Sequence, residues 1–153
     1  MAIERMDHVH FTVKDIQRAM RFFSGILGTR FVGPLDRSVD PAEPRQALYA
    51  FDTSGIELVS PKPGDPLYKL LETDGEGITH LGWKVKDIDK VTAAIQAKGV
   101  KLWRKGVYHN IKYSVFEKEN AYGIRIELVE YEYVPTVAAM NANIIGKLPW
   151  FTG

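Results

Sequence analysis

The chain contains two copies of one pattern, and that duplication restricts what it can fold into more than any other feature. His8-Val9-His10-Phe11-Thr12-Val13-Lys14-Asp15-Ile16 returns 72 residues later as His80-Leu81-Gly82-Trp83-Lys84-Val85-Lys86-Asp87-Ile88. The tetrapeptide Val-Lys-Asp-Ile is identical in both, and a His precedes its Val by five residues each time. Ile56-Glu57-Leu58-Val59 returns 70 residues later as Ile126-Glu127-Leu128-Val129. Two tetrapeptides matched in the same order, at nearly the same offset, mark an internal repeat. With 153 residues, 45% of them hydrophobic, the chain can bury one core well but not two independent ones. The two copies must therefore be halves of one domain.

Each copy reads alike. Val9, Phe11 and Val13 alternate with His8, His10 and Thr12, which is a strand with one apolar face. Asp15 stands at a helix N-cap, followed by Ile16, Ala19, Met20, Phe23 and Ile26 at helical spacing and by Gly28 as a stop. In the second copy Leu81, Trp83 and Val85 form the apolar face. Asp87 is the cap, Ile88, Val91 and Ile95 continue the helix, and Gly99 closes it. Three strand-like stretches follow each helix, near 29–32, 46–51 and 55–60, then near 101–105, 112–117 and 124–131. The unit is βαβββ, twice. The expected class is α+β, a curved eight-stranded mixed sheet with helices on its outer face. Module one spans about 5–60, a linker with a short helix 61–75, module two about 76–131, and a tail 132–153. Residues 34–44 read as a proline-rich loop.

Side chains alternate across a strand, so the face opposite the helices can be read directly. If the apolar sets meet their own helices, His8 and His80 point the other way. Glu57 and Glu127 share that face, because Ile56, Leu58, Ile126 and Leu128 take the helix side. One His and one Glu per copy then converge in the concavity of a curved sheet. Two imidazoles and two carboxylates suit a divalent metal ion such as Zn, Ni, Co, Mn or Fe(II). His10 lies two residues from His8 on the same face, but the second copy has Gly82 there, so the repeat favours His8 as ligand and leaves His10 beside it. His109 has no counterpart in the first copy.

Composition removes other classes. Lys plus Arg number 20 against 19 Asp plus Glu, a net charge of +1 that offers no electrostatic footprint for nucleic acid or an anionic membrane. The absence of cysteine excludes disulfides and thiolate chemistry. Residues 1–7 lack the apolar core of a signal peptide, and no apolar run is long enough for a membrane helix. The expected setting is the cytoplasm.

These residues resemble the vicinal-oxygen-chelate superfamily of glyoxalase I, methylmalonyl-CoA epimerase, extradiol dioxygenases and bleomycin resistance proteins. The pieces that carry the resemblance are Met6-Asp7-His8-Val9 with Val13-Lys14-Asp15, then Gly55-Ile56-Glu57-Leu58, Gly75-Glu76-Gly77-Ile78-Thr79-His80-Leu81, and Gly123-Ile124-Arg125-Ile126-Glu127-Leu128. The resemblance implies a metal held by His8, Glu57, His80 and Glu127. A carboxylate at Glu57 is similar to the proton-transfer branch, and Asp65 to His80 looks most like the epimerases. The epimerases carry a Glu beside a Gln before the third strand; here Arg45 precedes Gln46, and the nearest carboxylate is Glu43.

The resemblance implies a metal-dependent epimerase or isomerase acting on a small molecule with an acidic proton next to a carbonyl. The metal polarises the carbonyl, and Glu127, Glu57 or the loop residue Glu43 takes the proton. The alternatives are a glyoxalase-like lyase, an Fe(II) extradiol-type dioxygenase and a resistance protein that binds without turnover. The tail carries Val137, Met140, Ile144, Ile145, Leu148, Trp150 and Phe151. So apolar an end, with open sheet edges, leads us to expect a homodimer.

Overall fold

The structure is a computed structural model that describes residues 3–41, 44–52, 54–108 and 111–132. Glu43, His109 and the tail from Val134 to Gly153 lie outside the described residues, and with them the expected loop base and the apolar tail on which the expected homodimer rests.

The two modules follow the expected order. The first contains β1 (Ile3–Thr12), α1 (Ile16–Leu27), β2 (Phe31–Asp36), a 3-10 turn (Arg37–Val39), β3 (Ala47–Asp52) and β4 (Ile56–Pro61). After α2 (Pro66–Asp74), the second contains β5 (Gly77–Val85), α3 (Ile88–Gln96), β6 (Leu102–Tyr108), β7 (Ile111–Phe116) and β8 (Arg125–Glu130). The eight strands form one curled sheet in the order β2-β3-β4-β1-β5-β8-β7-β6. That order reads the same from either end once the modules are exchanged, so a local twofold runs between β1 and β5. These central strands pair antiparallel, while β1 with β4 and β5 with β8 pair parallel.

Local chemistry places the helices where the repeat put them. Asp15 and Asp87 accept hydrogen bonds from the amides of Arg18 and Lys90, 2.9 and 3.0 Å, the N-cap bonds that satisfy a first-turn donor. Gly28 ends α1 in the left-handed conformation, which glycine adopts without Cβ strain. α3 stops at Gln96 with Ala97 as its cap, and Gly99 serves the turn beyond rather than the helix end.

The apolar faces also fall as expected. Phe11, Val13, Ile56 and Leu58 pack with Ile16, Ala19, Met20 and Phe23 of α1, and Trp83, Val85, Ile126 and Leu128 with Ile88, Val91 and Ile95 of α3. The opposite, concave face holds two further clusters. Tyr49, Phe51 and Val59 pack there with Leu67 and Leu70 of α2, while Tyr108, Ile111, Val129 and Tyr131 line the other half.

Two strands run further than the sequence expectation. β6 reaches Tyr108 rather than ending near 105. β2 continues through Gly33 and Pro34 to Asp36, where the pattern ends a strand near 32 and begins a loop at 34. β2 lies at the edge of the sheet, where proline's missing donor removes no ladder bond, and the register slips between Val32 and Leu35. Gly33 also lies where a Cβ would press on the carbonyl oxygen of Tyr49 at 2.7 Å.

Candidate metal and substrate site

The four central strands carry the candidate residues. β1 supplies His8 and His10, β4 Glu57, β5 His80 and β8 Glu127. In register, His10 pairs with both Glu57 and His80, and Gly82 pairs with both Glu127 and His8. The local twofold therefore exchanges His8 with His80, Glu57 with Glu127, and His10 with Gly82.

That last exchange breaks the symmetry. His8 lies directly over Gly82, where any Cβ would collide with its ring. In the space so left, its Nε2 stands 3.1 Å from Glu127 Oε2 and 3.4 Å from Glu57 Oε2. In the other half His10 occupies the corresponding place, with Nδ1 3.4 Å from Glu57 Oε2. His80 meets the His10 ring edge-on at 4.7 Å and stacks on Trp103 at 6.0 Å. His8, His10 and His80 are all buried.

Behind the imidazoles, Asp7 holds His8 from the far side: its Oδ2 is 3.2 Å from Nδ1. Tyr131 donates a hydrogen bond to the other Asp7 oxygen, and Arg5 reaches the Tyr131 hydroxyl at 2.9 Å. A carboxylate on the outer nitrogen of an imidazole fixes the ring and its tautomer. Simple alternation puts Asp7 on the side of Val9 and Phe11, yet it meets His8 and Tyr131, at the register shift between Met6 and His8.

The electrostatics follow from this crowding. Burial lowers the pKa of His8, but Glu127, the hydrogen bond His8 donates to Asp7, and Glu57 outweigh it and hold His8 well above the ordinary histidine value. Burial and the neighbouring His10 and His8 push His80 well below it. Glu57, which burial would raise, is brought down to about 2 by His10, His8 and Arg37.

His10, His80 and Glu127 present ligand atoms that all lie within 4.8 Å of one another. Nε2 of His10 and both ring nitrogens of His80 are buried with no hydrogen-bond partner. Buried polar atoms are rarely left so, and three of them beside two carboxylates fit a cation bound by N and O donors.

Above the cluster opens a cavity of about 600 Å³, counting the part open to solvent. Of the four residues expected as ligands, Glu57, His80 and Glu127 line it; His8 does not, and His10 does. The sequence reasoning missed the rest of the polar wall, which includes Arg37, Arg45, Arg104, Tyr108 and Tyr113. Arg37 lies against the rings of Tyr108 and Tyr49, 3.7 and 4.8 Å from their centres, and 3.4 Å from Asp40. Arg45 makes a two-point bond to Asp65, 2.7 and 2.8 Å. Burial raises the Tyr49 hydroxyl to about 12, against the pull of Arg45 and Arg37. Only Tyr49 and Tyr113 were accessible from the sequence, through the same alternation that placed the glutamates.

Comparison with known proteins agrees with this architecture. Residues 7–115 match the model of the glyoxalase/bleomycin resistance protein/dioxygenase superfamily. The uncharacterized protein YqjC of Bacillus subtilis (strain 168) is 24% identical over 133 residues, which cover 84% of this chain and 93% of that protein. Among solved structures, the hypothetical protein BH1468 from Bacillus halodurans C-125 superposes with a TM-score of 0.72 at 23% identity, covering 85% of this chain and 96% of that one. Methylmalonyl-CoA epimerase from Mycobacterium tuberculosis superposes with a TM-score of 0.68 at 25% identity, covering 86% and 91%.

Proposed function

The chain belongs to the glyoxalase/bleomycin resistance protein/dioxygenase superfamily, and from that premise we propose that it is a divalent-metal-dependent epimerase or isomerase moving a proton at a carbon next to a carbonyl. The observation that carries this reading is the set of partnerless buried imidazole nitrogens beside two carboxylates on the floor of an open cavity. His8, Glu57, His80 and Glu127 would hold the cation. The separations of 3.1 and 3.4 Å between His8 Nε2 and the two carboxylates suit neighbouring ligands of one ion, which stand roughly 3 Å apart when each bond is about 2.1 Å. His10 stands as the rival of His8 for the fourth place. When bound, the cation supplies a Lewis acid for the substrate carbonyl.

The remaining work falls to the chain itself. Glu57 is ionised at neutral pH, and Glu127 is the more exposed carboxylate, so either can accept a proton at its free oxygen. Glu43 is the third candidate base, outside the described residues. Leu67, Val115 and Val129 give the cavity apolar walls that keep water away from the reacting carbon. The likeness to the mycobacterial epimerase supports proton transfer as the chemistry.

The test is isotope exchange. Metal-loaded protein incubated in D₂O with α-acidic acyl thioesters and ketoacids should place deuterium at the α-carbon, and chelation should stop it. His80→Ala and Glu127→Ala should lose both exchange and bound metal by elemental analysis. Full metal occupancy in both variants would sink the site assignment. A second reading has one observation in its favour: His10, His80 and Glu127 form a two-histidine, one-carboxylate group of the kind that serves Fe(II) oxygen chemistry. Oxygen uptake with a catechol and Fe(II), without deuterium exchange, would select it.

A further inference from the structure

β6 carries one residue more than its partner strand at a single point. Leu102 pairs with Phe116 and Arg104 with the next residue along β7, Val115, so Trp103 is left as a bulge. Leu102 faces α3, Trp103 and Arg104 both turn into the concavity, and Lys105 faces outward again toward Asp89 of α3. Module one has no such insertion at the equivalent place, where Phe31 and Val32 pair with the consecutive Asp52 and Phe51. Turned inward, the indole of Trp103 stacks on the His80 ring, with the planes 11° from parallel and the centres 6.0 Å apart, within the range of offset aromatic pairs. Trp103 also packs against the concave cluster of Tyr49, Phe51, Val59 and Leu67, which holds the indole in its turn.

An imidazole in a binding site needs a support of this kind. Rotation of the ring about its second side-chain angle is soft, so its plane is set by what surrounds it. The usual device is a hydrogen bond at the nitrogen that faces away from the ion. His8 has one, in Asp7. His80 has none: neither ring nitrogen finds a hydrogen-bond partner, and a cation that takes one of them leaves the other unheld. Its ring meets aromatic neighbours instead, the edge of His10 at 4.7 Å and the face of Trp103.

We infer that Trp103 is the positioning residue of His80: the bulged indole fixes the plane of a ring that no hydrogen bond holds, and so aims one ring nitrogen at the cation site. The two modules then hold their histidines by different means, a carboxylate behind one and a stacked ring beside the other. The effect on the cation rests on the metal-dependent reading above, whereas the effect on the ring does not.

Two kinds of variant separate stacking from the filling of space. Trp103→Phe keeps a flat ring, and Trp103→Leu keeps an apolar side chain without one; Trp103→Met takes the place of Trp103→Leu if the latter does not fold. In the metal-free protein, carbon-13 relaxation of the His80 ring, its signal identified by loss in His80→Gln, should report a rigid ring in the wild type and in Trp103→Phe. The non-aromatic variant should give a clearly lower order parameter. Cobalt-loaded protein reads the consequence. The non-aromatic variant should bind Co at least about tenfold more weakly in competition with a chromogenic chelator, a factor equal to about 1.4 kcal/mol. Its visible absorption bands, which follow ligand geometry, should also shift, while Trp103→Phe keeps the wild-type affinity and spectrum. A His80 ring as rigid in the non-aromatic variant as in the wild type overturns the inference, and so does wild-type Co affinity and spectrum in that variant. Equal loss in Trp103→Phe and Trp103→Leu, in step with their stability to urea, would show that the indole only fills space and would overturn it too. Wild type that binds no Co would instead overturn the metal reading, and the ring-order comparison then decides the role of Trp103 by itself.

Discussion

Asp7 is the residue whose role follows most directly from what it touches. It is buried, it holds the outer nitrogen of His8, and Tyr131 and Arg5 hold it in turn. Asp7→Asn keeps the size but removes the charge, so His8 loses its fixed orientation while the fold has no cavity to collapse into. We expect divalent-metal affinity to fall by about 10- to 100-fold, the usual cost of losing such an outer partner. Competition with a chromogenic chelator measures it, and an unchanged affinity would show that His8 is not a ligand. At this scale the sequence was readable in part. The placement of Glu57, His80 and Glu127 on the cavity side was legible because the repeat and the period of two agree. His8 and His10 occupy the same face, so alternation alone does not separate them, and only the packing over Gly82 shows how differently they sit. Asp7 was hidden by a slip in register, and Arg104 by a bulge; neither leaves a mark in a pattern of apolar and polar residues.

The strand pair β1–β5 is the element on which the site depends. Gly82 carries no side chain at a point where the partner strand sends an imidazole across it. Gly82→Ala places a methyl group where the His8 ring now lies, and the ring is flanked by two carboxylates and Asp7, so it has little room to yield. The expected cost is about 1–3 kcal/mol of stability, as for other overpacked cores, with a loss of bound metal that chemical denaturation and elemental analysis report together. A variant with wild-type stability and metal content would mean that the strands part easily here. Element types and order were legible because caps, helical spacing and alternation reinforce one another in both copies. The extension of β2 through Pro34 was not, since proline normally argues against a strand and only an edge position removes the objection.

At the level of the whole molecule, each module supplies one His and one Glu to a common floor, and the curl of the sheet brings its two ends together where Arg37 and Asp40 meet Tyr108. A cation bound there as proposed would join both modules and so link folding to ion binding. Thermal unfolding should show a higher midpoint with added Co, Ni, Mn or Zn than with chelator, by the equivalent of about 2.7 kcal/mol when free metal is 100 times its dissociation constant. No difference in midpoint would show that the modules hold together without an ion. No helix among the described residues is long and apolar enough to cross a membrane. The exchange of His10 for Gly82 has its own consequence at this scale. A duplicated cup with identical halves would accept a small ligand in two poses related by the twofold with equal energy. Here one pose faces the edge of an imidazole and the other a bare stretch of backbone under His8, so the degeneracy is lifted. A floor that tells left from right is what a protein needs before it can distinguish the two faces of a planar intermediate.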